Sequence, residues 1–137
     1  MSKNEELQRI ADELQRTATT NDIDGLRRLF ADDAILWHNF DDTAKPVDVA
    51  LANLAGMQSV LVRSWQEESR TTYTDTGFVA QHYGCAELVN GDEVRVPVCV
   101  VVTVSDGLIT RFDEYIEMGA IAPVLAALGA AGADVTA

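Results

Sequence analysis

Three side chains in this sequence could move a proton in a sheltered setting: Glu114, His38 and His82. Strand residues alternate, so Leu108, Thr110, Phe112, Glu114, Ile116 and Met118 are expected to share one face. Glu114 is the only carboxyl in that mostly apolar set. Burial of such a group disfavours its charged form and raises its pKa toward the range of a general acid or base. A shift of one residue would instead turn Asp113 or Glu117 inward and leave Glu114 in water. His38 lies within AILWHNF. An imidazole beside a carboxylate can shuttle a proton or hold the carboxylate charged; the competing reading is a rim histidine bonded to backbone. His82 alternates with Phe78, Ala80 and Gly84, and fits both a satisfied buried histidine and a catalytic one.

The large aromatics available to an interior are Trp37, Trp65, Tyr83 and Phe112. With Asn39 and Ile116 they are the candidate ligand contacts, although any one of them taken singly fits a core role. Trp37 and Asn39 share one face of their strand and His38 takes the other, so the register decides which lines a pocket. No serine or cysteine stands in a nucleophile motif, and no glycine-rich phosphate loop or metal-ligand cluster is visible. The chemistry expected is cofactor-free and acid–base, on a small organic molecule.

These groups need a scaffold. Residues 78–118 read as three long antiparallel strands, with turns at Val89-Asn90-Gly91-Asp92 and Ser105-Asp106-Gly107. Asn-Gly and Asp-Gly tolerate the positive φ that tight hairpins require. Strands of about ten residues exceed the usual five or six, and such a ribbon must twist and needs a cover. Helical spacing of Leu7, Ile10, Ala11, Leu14 and Ala18 predicts a helix over 4–18. Asn21 or Asp22 caps a short second helix with Ile23, Leu26, Leu29 and Phe30 inward and Arg27 and Arg28 in solvent. Asp32-Asp33 ends it, a strand follows over 34–40, and Asp41-Asp42-Thr43 forms a polar loop. Pro46 opens a third helix whose stripe runs Ala50, Leu54, Met57, Leu61, Trp65, closed by Glu67-Glu68. Residues 69–75 form an edge strand, and Ala122 to Leu128 adds a helical turn or two. Residues 1–128 make one domain and 129–137 a frayed tail.

Helices first and strands last argue an α+β fold: N-terminal helices packed on a curved, mainly antiparallel sheet, a cone with a wet mouth. A formal charge of −12 disfavours nucleic acid and anionic membrane surfaces as partners. The polar start and the short apolar runs indicate no membrane span and a cytoplasmic location. Cys85 and Cys99 are expected nearly opposite each other across the first turn, reduced and buried, with a cross-strand disulfide as the alternative.

The run DIDGLRRLFADDAILWHN resembles the N-terminal signature of the ketosteroid isomerase, SnoaL-like and nuclear transport factor 2-like superfamily. DGLITRFDEYIE resembles its closing strand. The resemblance spans roughly residues 5–120 and implies a cone-shaped α+β barrel and, with a convex face rich in valine and threonine, a homodimer. Matched residue by residue, the isomerase's general-base aspartate falls at His38, its oxyanion-hole tyrosine at Leu14 and its oxyanion-hole aspartic acid near Val100. Both enolate donors become aliphatic, which speaks against steroid enolisation by that mechanism. Against limonene epoxide hydrolase, the tyrosine and asparagine match Trp37 and Asn39, the arginine and its aspartate match His82 and Gly84, and the closing-strand tryptophan and aspartate match Phe112 and Glu114. The fold carries both catalysts and silent binders, so a ligand-binding or dimeric interaction domain without turnover stands as the alternative.

Overall fold

The computed structural model describes residues 2–131. In chain order these form α1 (Lys3–Thr19), α2 (Ile23–Arg27), β1 (Phe30–His38), β2 (Thr43–Pro46), α3 (Val47–Gln58), β3 (Leu61–Tyr73), β4 (Gly77–Leu88), β5 (Glu93–Ser105), β6 (Leu108–Ile116) and α4 (Met118–Ala131). The strands make one sheet in the order β2-β1-β6-β5-β4-β3. Every pairing is antiparallel except β1 with β6, which is parallel. The fold is the expected α+β arrangement, helices on the concave side of a curved sheet.

The meander lies where its turns put it. Gly91 takes φ 93°, and Asp106 and Gly107 take φ 52° and 78°, the paired positive values of a tight hairpin. Gly77 answers a different need: a Cβ there would sit 1.9 Å from the Val102 carbonyl oxygen. The helices are capped by polar side chains. Ser2 Oγ accepts from Glu5 N at 3.1 Å and Asp22 Oδ1 from Gly25 N at 2.9 Å. Glu117 accepts from Gly119 N and Ala120 N at 3.1 and 2.6 Å, opening α4.

Several boundaries differ from the sequence reading. α3 stops at Gln58, where Ser59 N and Val60 N bond back to Gly56 and Met57 carbonyls. Leu61–Glu67 then pairs with β4, so Trp65 stands on a strand and not on a helix. The 3–4 spacing of Leu54, Met57, Leu61 and Trp65 hid this, because pairing with β4 outweighs local periodicity. β1 begins at Phe30, a buried residue, and Asp32 and Asp33 sit exposed in an irregularity between Phe30 and Ile35. The loop at 41–43 leads into β2, which pairs back on β1. Arg27 is not a solvated charge. It donates to Asp48 Oδ1 and Asp32 Oδ1 at 2.9 Å and to the Phe30 carbonyl at 3.1 Å, tying α2 to β1 and α3. Residues 129–131, expected in the tail, belong to α4; residues 132–137 lie outside the described residues.

Two apolar clusters hold the cone. Leu7, Ile10, Leu26, Phe30, Leu36, Leu51, Phe78, Val102 and Ile109 pack α1, α2 and α3 on the sheet. Val60, Leu88, Val96, Ile121, Val124 and Leu128 join α4 to it. Val98 touches both clusters, and the space between them is the cavity described below.

Gly77→Ala is expected to destabilise the protein by at least ~2 kcal/mol in urea unfolding, since backbone must move to admit the methyl. Gly84→Ala, whose Cβ would meet Val98 Cγ2 at an ordinary 3.6 Å, should change stability by less than ~1 kcal/mol. Equal effects would show that the close approach at Gly77 is not a constraint.

Candidate functional site

The cavity has a volume of about 300 Å³. Its walls are mostly aliphatic, among them Leu14, Leu54, Met57, Val98, Val100 and Ile116. Polar groups among its lining residues include His38, Lys45, Asn53, His82 and Glu114.

Registry places the acid and the imidazole together. His38 and Glu114 are Cα partners across the parallel β1–β6 pair. His38 Nε2 lies 3.1 Å from Glu114 Oε1, and their side chains keep 18% and 21% of their exposure. The pair is therefore charged when His38 carries a proton, and it is reachable from the cavity. The two alternatives to Glu114 are occupied elsewhere. Asp113 pairs with Arg111 at 3.0 Å on the outer face, and Glu117 caps α4.

The alternation along β6 breaks where an irregularity lies between Thr103 and Val104 of β5. Phe112, Glu114 and Ile116 line the cavity, but Ile109 takes the buried place, leaving Leu108 38% exposed. Thr110 turns its hydroxyl to the Thr103 carbonyl at 3.3 Å. A bulge reverses the facing of all residues beyond it. Met118 begins α4 and is exposed.

His82 also lines the cavity. Burial lowers its pKa below 6.5, and the negative charge of Glu114 opposes that shift only in part. His82 is thus a neutral imidazole at neutral pH, near enough to Glu114 to feel its charge.

The remaining expected contacts part company. Trp37 points to the outer face, where Nε1 donates to Asp42 Oδ1 at 3.0 Å and the ring meets Tyr115 edge-on at 5.1 Å. Asn39 does not contact the cavity either. Its amide donates to the Ile116 carbonyl at 3.0 Å and accepts from Ile116 N at 2.8 Å. It acts as one more rung of the β1–β6 ladder. Tyr83 lies on the outer face with the Arg95 guanidinium stacked 3.4 Å from its ring centre. Trp65 borders the cavity, but its indole is engaged outside: Nε1 donates to Glu67 Oε2 at 2.8 Å, and Arg63 stacks 4.3 Å from the ring. Alternation explains Trp37, which stands opposite Asp113 on the face away from His38 and Glu114.

Cys85 and Cys99 are both free. They are not opposite: Cys85 faces Arg95 and Cys99 faces Gln81. Burial, and a bond to Glu67 at 3.4 Å, push the Cys85 thiol up to about 11, so it stays protonated and unreactive.

The sequence profile of the SnoaL-like domain matches residues 11–112. The chain belongs to the SnoaL-like family. Solved structures agree on the fold of this SnoaL-like protein. A candidate polyketide cyclase from Xanthomonas campestris pv. campestris superposes with a TM-score of 0.80 at 19% identity, over 90% of this chain and 99% of that one. PrhC from Penicillium brasilianum NBRC 6234 does so at 0.79 and 11% identity, over 96% and 93%. A protein of ketosteroid isomerase-like fold from Catenulispora acidiphila DSM 44928, in complex with trimethylamine, gives 0.73 at 14% identity, over 88% and 92%. At such identities the likeness is one of fold alone. No curated protein matches the sequence.

Among the described residues of this SnoaL-like chain, no helix is long and apolar enough to cross a membrane, and no cluster of histidine, cysteine and carboxylate side chains could hold a metal ion. Sequence reasoning missed several polar lining residues, Lys45 and Asn53 among them. Lys45 is 2% exposed and pairs its ammonium with Asp41, and Asn53 comes from the middle of α3. A hydrophobic stripe gives no reason to single out an asparagine beside it.

His82 supplies a pH signature. With its folded pKa below 6.5, the unfolded chain binds a proton that the folded chain resists. Stability held at neutral pH is then lost as pH falls from about 6.5 through the lowered folded value. Against His82→Gln, the wild type should lose relative stability over that window in urea titrations. Parallel curves would show that burial does not hold His82 neutral.

Proposed function

We propose that this SnoaL-like protein is a cofactor-free acid–base enzyme, a lyase, isomerase or hydrolase, acting on a small apolar organic substrate held in the cavity. Glu114 is the proton-transfer group and His38 its partner. One observation carries the reading: His38 Nε2 stands 3.1 Å from Glu114 Oε1 inside a largely aliphatic chamber of about 300 Å³. A carboxylate so placed can take a proton from a bound substrate, and the imidazole can share or return it. Phe112 and Ile116 are substrate contacts, with Trp65 at the border of the cavity; Trp37, Asn39 and Tyr83 do not line it. His82, neutral, is a candidate hydrogen-bonding partner for the reacting group. The chamber's volume lies at the lower end for small-molecule sites, which supports a compact substrate.

A second reading, a ligand binder without turnover, draws on Leu14 and Val100. Both line the cavity at positions where the resemblance would put oxyanion donors. Catalysis of proton transfer from carbon needs some stabilisation of the developing charge, and these two side chains offer none.

The homodimer expected from the sheet belongs to the same proposal. The outer face leaves Val101 38% and Tyr115 50% exposed, which supports a second copy there. The free cysteines fit a reducing cytoplasm.

The catalytic reading is tested by deuterium uptake from D2O into small apolar ketones that bind the protein, followed by NMR. Wild type should accelerate exchange, and Glu114→Gln should slow it by about 10²-fold or more while leaving affinity within a few fold. His38→Gln should lower the rate and move its pH dependence. Ketones that bind and are recovered with no exchange above buffer would leave the binder as the surviving reading. Sedimentation equilibrium giving a monomer at micromolar concentration would remove the dimer.

A further inference from the structure

Among the described residues, two buried side-chain nitrogens have no hydrogen-bond partner: His38 Nδ1 and Asn53 Nδ2. Both belong to residues that line the same cavity. Such orphans are rare in folded proteins, because each forfeits its bonds to water without replacement. His38 has a use in the proton-transfer pair. Asn53 has none so far. It stands on α3, away from both helix ends, half-buried as a residue but with Nδ2 shut off from solvent, on a helix whose buried residues are Val47, Ala50 and Leu51. Nothing in the packing of α3 requires a carboxamide there. A leucine there would leave no buried donor unpaired.

We infer that Asn53 is a specificity-determining residue: its Nδ2 donates to an acceptor oxygen of the bound ligand. The inference rests on the cavity being the ligand site proposed above. The ligand class follows from the chamber. It is mostly hydrocarbon, to match the aliphatic walls, and it carries an acceptor oxygen at the end nearest α3. The terminal torsion of an asparagine is broad, so the carboxamide can turn toward a guest at little cost. α3 packs on β1, the strand that carries His38, so a ligand oxygen held by Asn53 leaves the adjoining carbon framework beside the His38–Glu114 pair. A guest lacking the oxygen would leave the donor orphaned. That asymmetry is how a buried polar group rejects close analogues.

A matched pair of probes tests this: 1-tetralone, with a carbonyl oxygen, and tetralin, without one. Binding is read by titration into 15N-labelled protein, with the Asn53 side-chain NH2 signals identified by their loss in Asn53→Leu. The expected result is that 1-tetralone shifts those NH2 signals and binds wild type about tenfold more tightly than Asn53→Leu. Tetralin should bind the two proteins with equal affinity or favour the variant. Asn53→Gln, which keeps the donor on a longer arm, should restore part of the ketone's affinity. If both probes bind but Asn53→Leu affects them equally, or the NH2 signals do not respond to the ketone, the role of Asn53 is overturned and the cavity reading survives. If neither probe binds, the cavity is not a site for such molecules, and both readings fall.

Discussion

The parallel pairing of β1 with β6 is the constraint on which the candidate site depends. It joins the first strand of the chain to the last, so residues far apart in sequence, His38 and Glu114, meet side by side. Side chains alternate along a strand, so a slip of one residue would bring Trp37 or Asn39 to the cavity and send the imidazole outward. Asn39 guards against that slip. Its carboxamide both donates to and accepts from the Ile116 backbone, copying a peptide group where β1 itself has ended. With Asn39 N bonded to the Glu114 carbonyl at 3.1 Å, the register is fixed on either side of the acid. The residue that looked like a ligand contact is instead what keeps the contact residues aligned.

The cover works by a different kind of force. α1, α2 and α3 pack on the sheet, and α4 lays Ile121, Val124 and Leu128 against it. Both clusters are almost wholly apolar, so they fix shape without directing chemistry. Direction comes from the few polar groups admitted to the wall. Charged or amide groups among hydrocarbon are costly unless paired. His38 and Glu114 pair with each other, and Lys45 pairs with Asp41. The orphaned nitrogens of His38 and Asn53 remain the exceptions. An apolar chamber that tolerates unpartnered polar atoms is arranged around something other than its own stability.

How much of this was legible in the sequence differs element by element, for physical reasons. The meander was readable because Asn90-Gly91 and Asp106-Gly107 carry a backbone requirement that few other pairs meet. The inward facing of Glu114 was readable because alternation holds from Phe112 to Ile116. It failed one turn earlier, at Leu108 and Thr110, because a bulge inserts a residue without any local signal. Trp65 was misplaced on a helix because LVRSW fits both periods over so short a run, and its pairing with β4 is a long-range fact. The cysteines do not meet although the turn lies where expected: about Asn90 the register pairs Cys85 with Arg95 and leaves Cys99 four places further along β5. Trp37 and Tyr83 were credited to the interior on size, but size does not decide facing.

Their outward positions matter for the site itself. Trp65 and Tyr83 are stacked under Arg63 and Arg95, and Glu67 gathers Trp65, Cys85 and Arg95. These side chains are committed to one another and cannot swing through the sheet. The cavity is thereby left with Phe112 and Phe40 as its aromatic rings near His38, at 6.5 and 5.0 Å between centroids. Phe30, Phe78 and Trp65 are further rings in a lining otherwise rich in leucine, valine, isoleucine and methionine. Selection comes from volume and from the few polar atoms on the wall shared by β1, β6 and α3. A guest is oriented where those atoms are, and the position of Glu114 in the middle of β6 decides which of its bonds lies within reach of a proton transfer.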